Sequence, residues 1–229
     1  WSVDSSIDQP ESAKIAVRWF DAMLKKASIE IADLFSKYRL SEALMVVYKL
    51  FWDEFSSWYL EMIKPGYQQP IDATTYEKTL SFFDDLLKLL HPFMPFITEE
   101  IYQAIPHDCE SIMISKWVEY DENLCFAENE AKMEVLMSAI RAIRNRRAEM
   151  NIPPSKKAKV YIETENTELF EAGAQFIIRL ASANEVEVKS GFDNLGNTVT
   201  IVTDNAKIYI PMGDLVDFEA ERKRLEKEL

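Results

Sequence analysis

From Ser41 to Lys64, apolar side chains recur at Leu44, Val47, Tyr48, Phe51, Trp52, Phe55, Trp58, Tyr59, Met62 and Ile63. Spacings of three and four residues put them on one face of a helix, and that face must be buried against other elements. Ser41 is placed to cap the start, and Pro65-Gly66 stops the helix. The same period runs from Ile15 to Tyr38, where Trp19, Met23, Ala27, Ile31, Leu34 and Tyr38 share a face. A third helix opens at Thr74, whose Thr-Thr-Tyr-Glu run fits a capping box, and passes through Leu80, Phe83, Leu87 and Leu90 to Pro92. Pro95 suits the first position of another, which ends near Pro106. Short connections between such helices give an antiparallel bundle.

The pattern then changes. Residues 107–127 read as irregular, with a short strand at Ile112–Ile114, and a helix from about Glu128 to Met150 is closed by Asn151-Ile152-Pro153-Pro154. Lys159–Glu163, Val186–Val188, Thr198–Val202 and Lys207–Ile210 are short and β-branched, with one helix, Leu169 to Ala181, between the first two. Near the end, Leu215, Phe218, Arg222, Leu225 and Leu229 alternate three- and four-residue spacings, with Asp214 as a cap. The chain stops as this pattern begins, so it is expected to be part of a longer polypeptide. The fold class is therefore mainly α: an antiparallel bundle over 1–127, a helix plus a small α+β module over 128–213, and the start of a coiled-coil helix over 214–229.

Composition narrows the function classes. Hydrophobic residues are 48% and charged residues 28%, an ordinary soluble balance. No stretch reaches the roughly 20 apolar residues that span a bilayer. The opening WSVDSSIDQP has neither the basic start nor the apolar core of a signal peptide. Cys109 and Cys125 are the only cysteines and form no paired motif, which fits a reduced, cytoplasmic protein without a membrane partner. Phosphate-cradling loops, a dinucleotide turn and a nucleophile elbow are absent from the sequence. Neither His91 nor His107 has the glutamate three residues earlier that a bundle metal site needs, since Lys88 and Ala104 stand there. His91 beside Pro92 reads as a capping or packing group, and Glu99-Glu100 as first-turn acids favoured by the helix dipole. The sequence supports no catalytic residue, metal or cofactor of its own.

The net charge of −13 speaks against a nucleic-acid partner until its placement is considered. Residues 141–159 carry Arg141, Arg144, Arg146, Arg147, Lys156, Lys157 and Lys159 against the single acid Glu149. This local excess of +6 leaves −19 to the remaining residues, a segregation that lets one face meet RNA phosphate. At 100° per residue, Arg147 lies inside the apolar stripe of Leu136, Ile140 and Ile143, and Arg144 lies at its edge. A buried guanidinium needs a partner, so Arg147 reads first as a paired structural arginine, with Asp53, Glu54 or Glu61 as partner carboxylates. Arg141, Arg146, Lys156 and Lys157 are freer to meet phosphate, and Arg144 is evenly balanced between the two roles. They also fit an ordinary solvated face. Lys64, at a helix end, is a further phosphate candidate. Trp52, Phe55, Trp58 and Tyr59 lie on the apolar stripe and read as core rather than as stacking partners for bases.

Four stretches carry a resemblance. Phe51-Trp52-Asp53-Glu54-Phe55-Ser56-Ser57-Trp58-Tyr59-Leu60-Glu61, followed by Lys64-Pro65, resembles the signature helix of the class I aminoacyl-tRNA synthetase anticodon-binding bundle. His91-Pro92-Phe93-Met94-Pro95-Phe96-Ile97-Thr98-Glu99-Glu100-Ile101-Tyr102 is also common to that group. Residues 143–155, IRNRRAEMNIPPS, are more typical of the valyl branch, and 211–219, PMGDLVDFE, resemble the entry to its coiled-coil arm. Ser56-Ser57 departs from the family's frequent Cys-Asp. The resemblance covers nearly the whole chain. It implies a bundle that grips the anticodon stem-loop of a valine-accepting tRNA and an arm that touches the outer corner of that tRNA. A monomeric parent enzyme would use ATP and Mg in a catalytic domain of the same polypeptide. That domain's HIGH and KMSKS signatures are absent from this sequence, as are the editing domain and an earlier helix that contributes anticodon contacts in the family. The RNA-facing set expected here is Lys64, Arg141, Arg144, Arg146, Lys156 and Lys157. An isoleucyl or leucyl relative, and a helical protein-interaction module without RNA, are the alternatives; the coiled-coil entry after Gly213 favours the valyl branch.

Overall fold

The computed structural model describes residues 1–118, 127–153, 155–193 and 195–211. The coiled-coil expectation for 214–229 lies outside the described residues. The chain divides into two compact units, Trp1–Glu130 and the part from Ala131 onward. The result is predominantly helical with a small α+β part, as expected from the periodicity.

In the first unit, β1 (Val3–Asp4) pairs in parallel with β2 (Ile71–Asp72), a two-residue ladder too short to leave a sequence signal. Helix α1 (Glu11–Ser36) packs against α2 (Leu40–Lys49), a π-helical segment (Leu50–Tyr59), α3 (Leu60–Ile63) and α4 (Ala73–Leu90), and α4 packs against α5 (Pro95–Ala104). The centre is aromatic. Phe20 is fully buried, with ring centroids 5.2 Å from Phe55, 5.0 Å from Tyr59 and 5.1 Å from Phe82. Burying one such ring is worth roughly 1.5–3 kcal/mol before its ring–ring geometry is counted. The Tyr59 hydroxyl lies 2.9 Å from Thr79 Oγ1, and that hydroxyl itself donates to the Thr75 carbonyl at 2.7 Å. Tyr59 is therefore the donor, and burial pushes its phenol far above the ordinary range, which keeps the proton in place.

Several local expectations differ in the fold. Helix α2 starts at Leu40 with no side-chain cap, so Ser41 does not cap it. Helix α4 is capped by Asp72, whose carboxylate accepts from the Thr75 N–H at 2.8 Å, rather than by Thr74. Ile112–Ile114 is a 3-10 turn and not a strand, because the Glu99 carboxylate accepts from Ser111 Oγ at 2.8 Å and the Ile112 N–H at 3.2 Å and winds the segment. Tyr38 is exposed, since α1 ends at Ser36 and Tyr38 turns into the left-handed region at φ 58°. Trp52 is 60% exposed. The stripe read at constant spacing merges two faces: Leu44 and Tyr48 are exposed on α2 and Trp52 follows them, while through the π segment, marked by Ser57 Oγ donating to the Trp52 carbonyl at 2.9 Å, Phe55, Trp58 and Tyr59 turn inward.

Helix α6 (Ala127–Glu149) enters the second unit at Ala131, which sets it and two short helices with a four-stranded sheet. Its strands β3 (Ala158–Glu163), β4 (Ala183–Lys189), β5 (Thr198–Val202) and β6 (Lys207–Pro211) lie in the order β4-β3-β6-β5. β3 and β4 run parallel, and β3–β6 and β5–β6 are antiparallel. Ala158, Val160, Ile162, Ile208 and Ile210 are buried in alternation, the period of a half-covered sheet. The expected single helix 169–181 is two, α7 (Thr167–Ala172) and α8 (Ala174–Leu180), broken at Gly173. A Cβ there would stand 2.6 Å from both Leu136 methyls, and Leu136 is itself buried, so the added atom would force it to repack.

Two outcomes follow from these packings. Gly173→Ala should lower stability by about 1–3 kcal/mol in denaturant titration, as overpacking does. In the first unit, burial pushes the Asp85 carboxyl up to about 6, with Asp84 and Asp21 adding repulsion against the opposing pull of Lys88 and Lys78. A raised folded pKa means that the folded state holds the proton more tightly, so stability is lost as pH climbs from the unfolded value near 3.9 through about 6. Asp85→Asn should therefore raise the melting temperature relative to the parent at about pH 7.5, and that advantage should disappear near pH 4.

Candidate nucleic-acid interface

Helix α6 ends in a built stop. The Ile152 N–H donates to the Arg147 carbonyl at 2.9 Å and the Asn151 N–H to the Ala148 carbonyl at 3.0 Å, with Asn151 in the left-handed region at φ 53°. This is the Schellman arrangement, with asparagine in place of the usual glycine and Ile152 buried after it. The chain is thereby sent into a tight turn, in which the Lys156 N–H donates to the Pro153 carbonyl at 3.0 Å.

Arg147 is 6% exposed, as its place on the apolar stripe requires. Its partner is not a carboxylate. Nη2 donates to the Pro153 carbonyl at 3.3 Å and to the Lys156 carbonyl in a short contact. Burial follows from position on the stripe, whereas the acceptors follow from a tight turn directly after the helix, which brings two carbonyls back over the guanidinium. Burial pulls the Arg147 pKa below its ordinary value, with no acid to offset the shift.

The remaining cations of the +6 segment are mostly answered locally. Arg141 Nη1 meets Glu134 at 2.6 Å and Arg146 Nη1 meets Glu149 at 3.0 Å, both at exposed positions. Arg144 Nε donates to the Leu180 carbonyl at 2.6 Å, at the end of α8, where a cation suits the helix dipole. Lys159 is held between Glu185 at 3.1 Å and Glu187 at 3.0 Å across the β3–β4 pair, and these carboxylates raise its pKa. Among the described residues neither Lys156 nor Lys157 makes an ion pair; Lys157 is exposed and Lys156 half-buried. Five of the six expected residues thus belong to the second unit, and only the two lysines share one turn. Lys64, in the first unit, is paired with Glu61 at 3.0 Å.

One surface escaped the sequence reading. Tyr48 and Trp52 stack at a 6.3 Å centroid distance with only 8° between ring planes, and both are more than half exposed. Their four-residue spacing, offset from buried Ala43 and Val47, was the available signal. His91 serves as expected, its Nδ1 lying 2.7 Å from Thr98 Oγ1. Among the described residues no group of three His, Cys, Asp or Glu side chains converges on a possible metal position.

Residues 17–162 match the family described as the anticodon-binding domain of tRNA ligase. All of the chain aligns with the valine–tRNA ligase of Parabacteroides distasonis at 46% identity and with that of Phocaeicola vulgatus at 48%, covering 26% of each relative. The valine–tRNA ligase of Clostridium perfringens is 40% identical over 93% of this chain and 25% of its own length. The chain thus spans about a quarter of the length of the curated relatives it matches. It belongs to the anticodon-binding domain family of the tRNA ligases.

Proposed function

We propose that this chain is the tRNA-holding part of a valine–tRNA ligase. It grips the anticodon stem-loop of a valine-accepting tRNA while another domain of the same polypeptide attaches valine with ATP and Mg. The observation that carries this reading is the Lys156-Lys157 turn, two cations without acidic partners among the described residues, inside the segment that matches the anticodon-binding family. Lysine ammonium groups meet phosphate as point charges, and each contact releases counterions. The exposed pairs Arg141–Glu134, Arg146–Glu149 and Lys64–Glu61 are worth only about 0–1 kcal/mol each, so phosphate can displace the acid. In the first unit the Tyr48–Trp52 pair offers an aromatic face on which an unpaired base can stack. No helix of the described residues is long and apolar enough to cross a membrane. We place the parent enzyme in the cytoplasm as a monomer.

Titration of valine-accepting tRNA across salt concentrations tests the assignment. Replacing Lys156 and Lys157 together by Ala should weaken binding and reduce the slope of log affinity against log salt by about 2, with the melting temperature unchanged. Unchanged affinity and slope would exclude this turn as the RNA surface.

A further inference from the structure

The two lysines would be poor phosphate ligands on a loose loop, because ordering the loop would oppose binding. The chain does not leave the turn loose. Its stop is built from backbone bonds of Asn151 and Ile152 onto α6, and the guanidinium that projects from the same helical turn reaches over it to two carbonyls. The Lys156 carbonyl is one of them, and it belongs to the peptide plane that joins Lys156 to Lys157. Holding that oxygen constrains the plane, and with it the positions of the two α-carbons from which the lysine side chains leave.

We propose that Arg147 is a positioning residue for RNA: its buried guanidinium, through the Pro153 and Lys156 carbonyls, holds the Lys156-Lys157 turn in the geometry that meets phosphate. The inference rests on the tRNA-binding reading above. Arginine suits the task because the two N–H groups of Nη2 are held in the guanidinium plane, reach two acceptors at once and stay charged when buried, whereas lysine offers a point charge with freely rotating donors. The guanidinium itself is covered and meets no phosphate. Its effect passes through the backbone alone, which distinguishes it from Arg141 and Arg146 on the exposed side of the same helix.

A mutant cycle on the full 229-residue chain separates this from a general structural role. The four proteins are the parent, Arg147→Lys, the Lys156→Ala/Lys157→Ala pair, and the triple variant. Each is titrated with valine-accepting tRNA across salt below its own melting temperature. Arg147→Lys keeps the charge and should still lose affinity several-fold, with a salt slope reduced by about 1 to 2. The triple variant should bind no more weakly than the lysine pair, because the residue acts only through those lysines. Arg147→Gln, which keeps N–H donors without the charge, goes through the same cycle as a second probe. Full binding by Arg147→Lys would show that charge alone suffices and overturn the proposal. Losses that add in the triple variant would overturn it too, as would failure of both Arg147 variants to fold. An unchanged lysine pair would instead strike the RNA surface itself, a separate failure.

Discussion

A guanidinium inside the second unit has to be solvated by the protein, and here it is solvated by backbone. Arg147 sits among Leu136, Ile140 and Ile143 on α6, where an unpaired charge would cost several kcal/mol. The Pro153 and Lys156 carbonyls provide its acceptors. Those carbonyls come within reach only because Asn151 enters the left-handed region and folds the chain back after Glu149. The helix stop, the buried charge and the turn that follows are therefore one interdependent arrangement. A change at any one of them loosens the other two.

Charge segregation along the sequence does not survive unchanged in space. Seven cations lie between residues 141 and 159, yet Glu134, Glu149, Glu185 and Glu187 meet Arg141, Arg146 and Lys159 in the folded chain. Two of those acids come from β4, more than 20 positions away in sequence from the lysine they hold. Within residues 141–159 such pairing leaves the Lys156-Lys157 turn without an ion pair among the described residues, while the exposed Arg141 and Arg146 stay available where a phosphate competes with a weak surface pair.

The long apolar periods set the helices, and α1, α4 and α5 stand where those periods put them. What escaped prediction is non-local or depends on a departure from ideal geometry. A constant 3.6-residue period puts Tyr48 and Trp52 on the buried stripe, yet the two rings stack outside, and the π segment then turns Phe55, Trp58 and Tyr59 inward within one continuous helix. Ile112–Ile114 has a strand-like composition, but the Glu99 carboxylate, 13 residues earlier, bends it into a 3-10 turn. The helix breaks at Gly173, where Leu136 occupies the space a side chain would need. For the site, burial of Arg147 was readable from the helical wheel, since position on a stripe is a local property. Its acceptors were not, because carbonyl directions follow from the turn and not from residue identity.

The central claim is that RNA phosphate meets this chain at the turn which Arg147 holds. Amide chemical shifts of the isotopically labelled chain, followed while valine-accepting tRNA is added at low salt, read that contact residue by residue. The account predicts the largest changes in the second unit at Ser155, Lys156 and Lys157, reversed as salt is raised. Saturable binding with those three amides unmoved, and the changes gathered elsewhere, would contradict it.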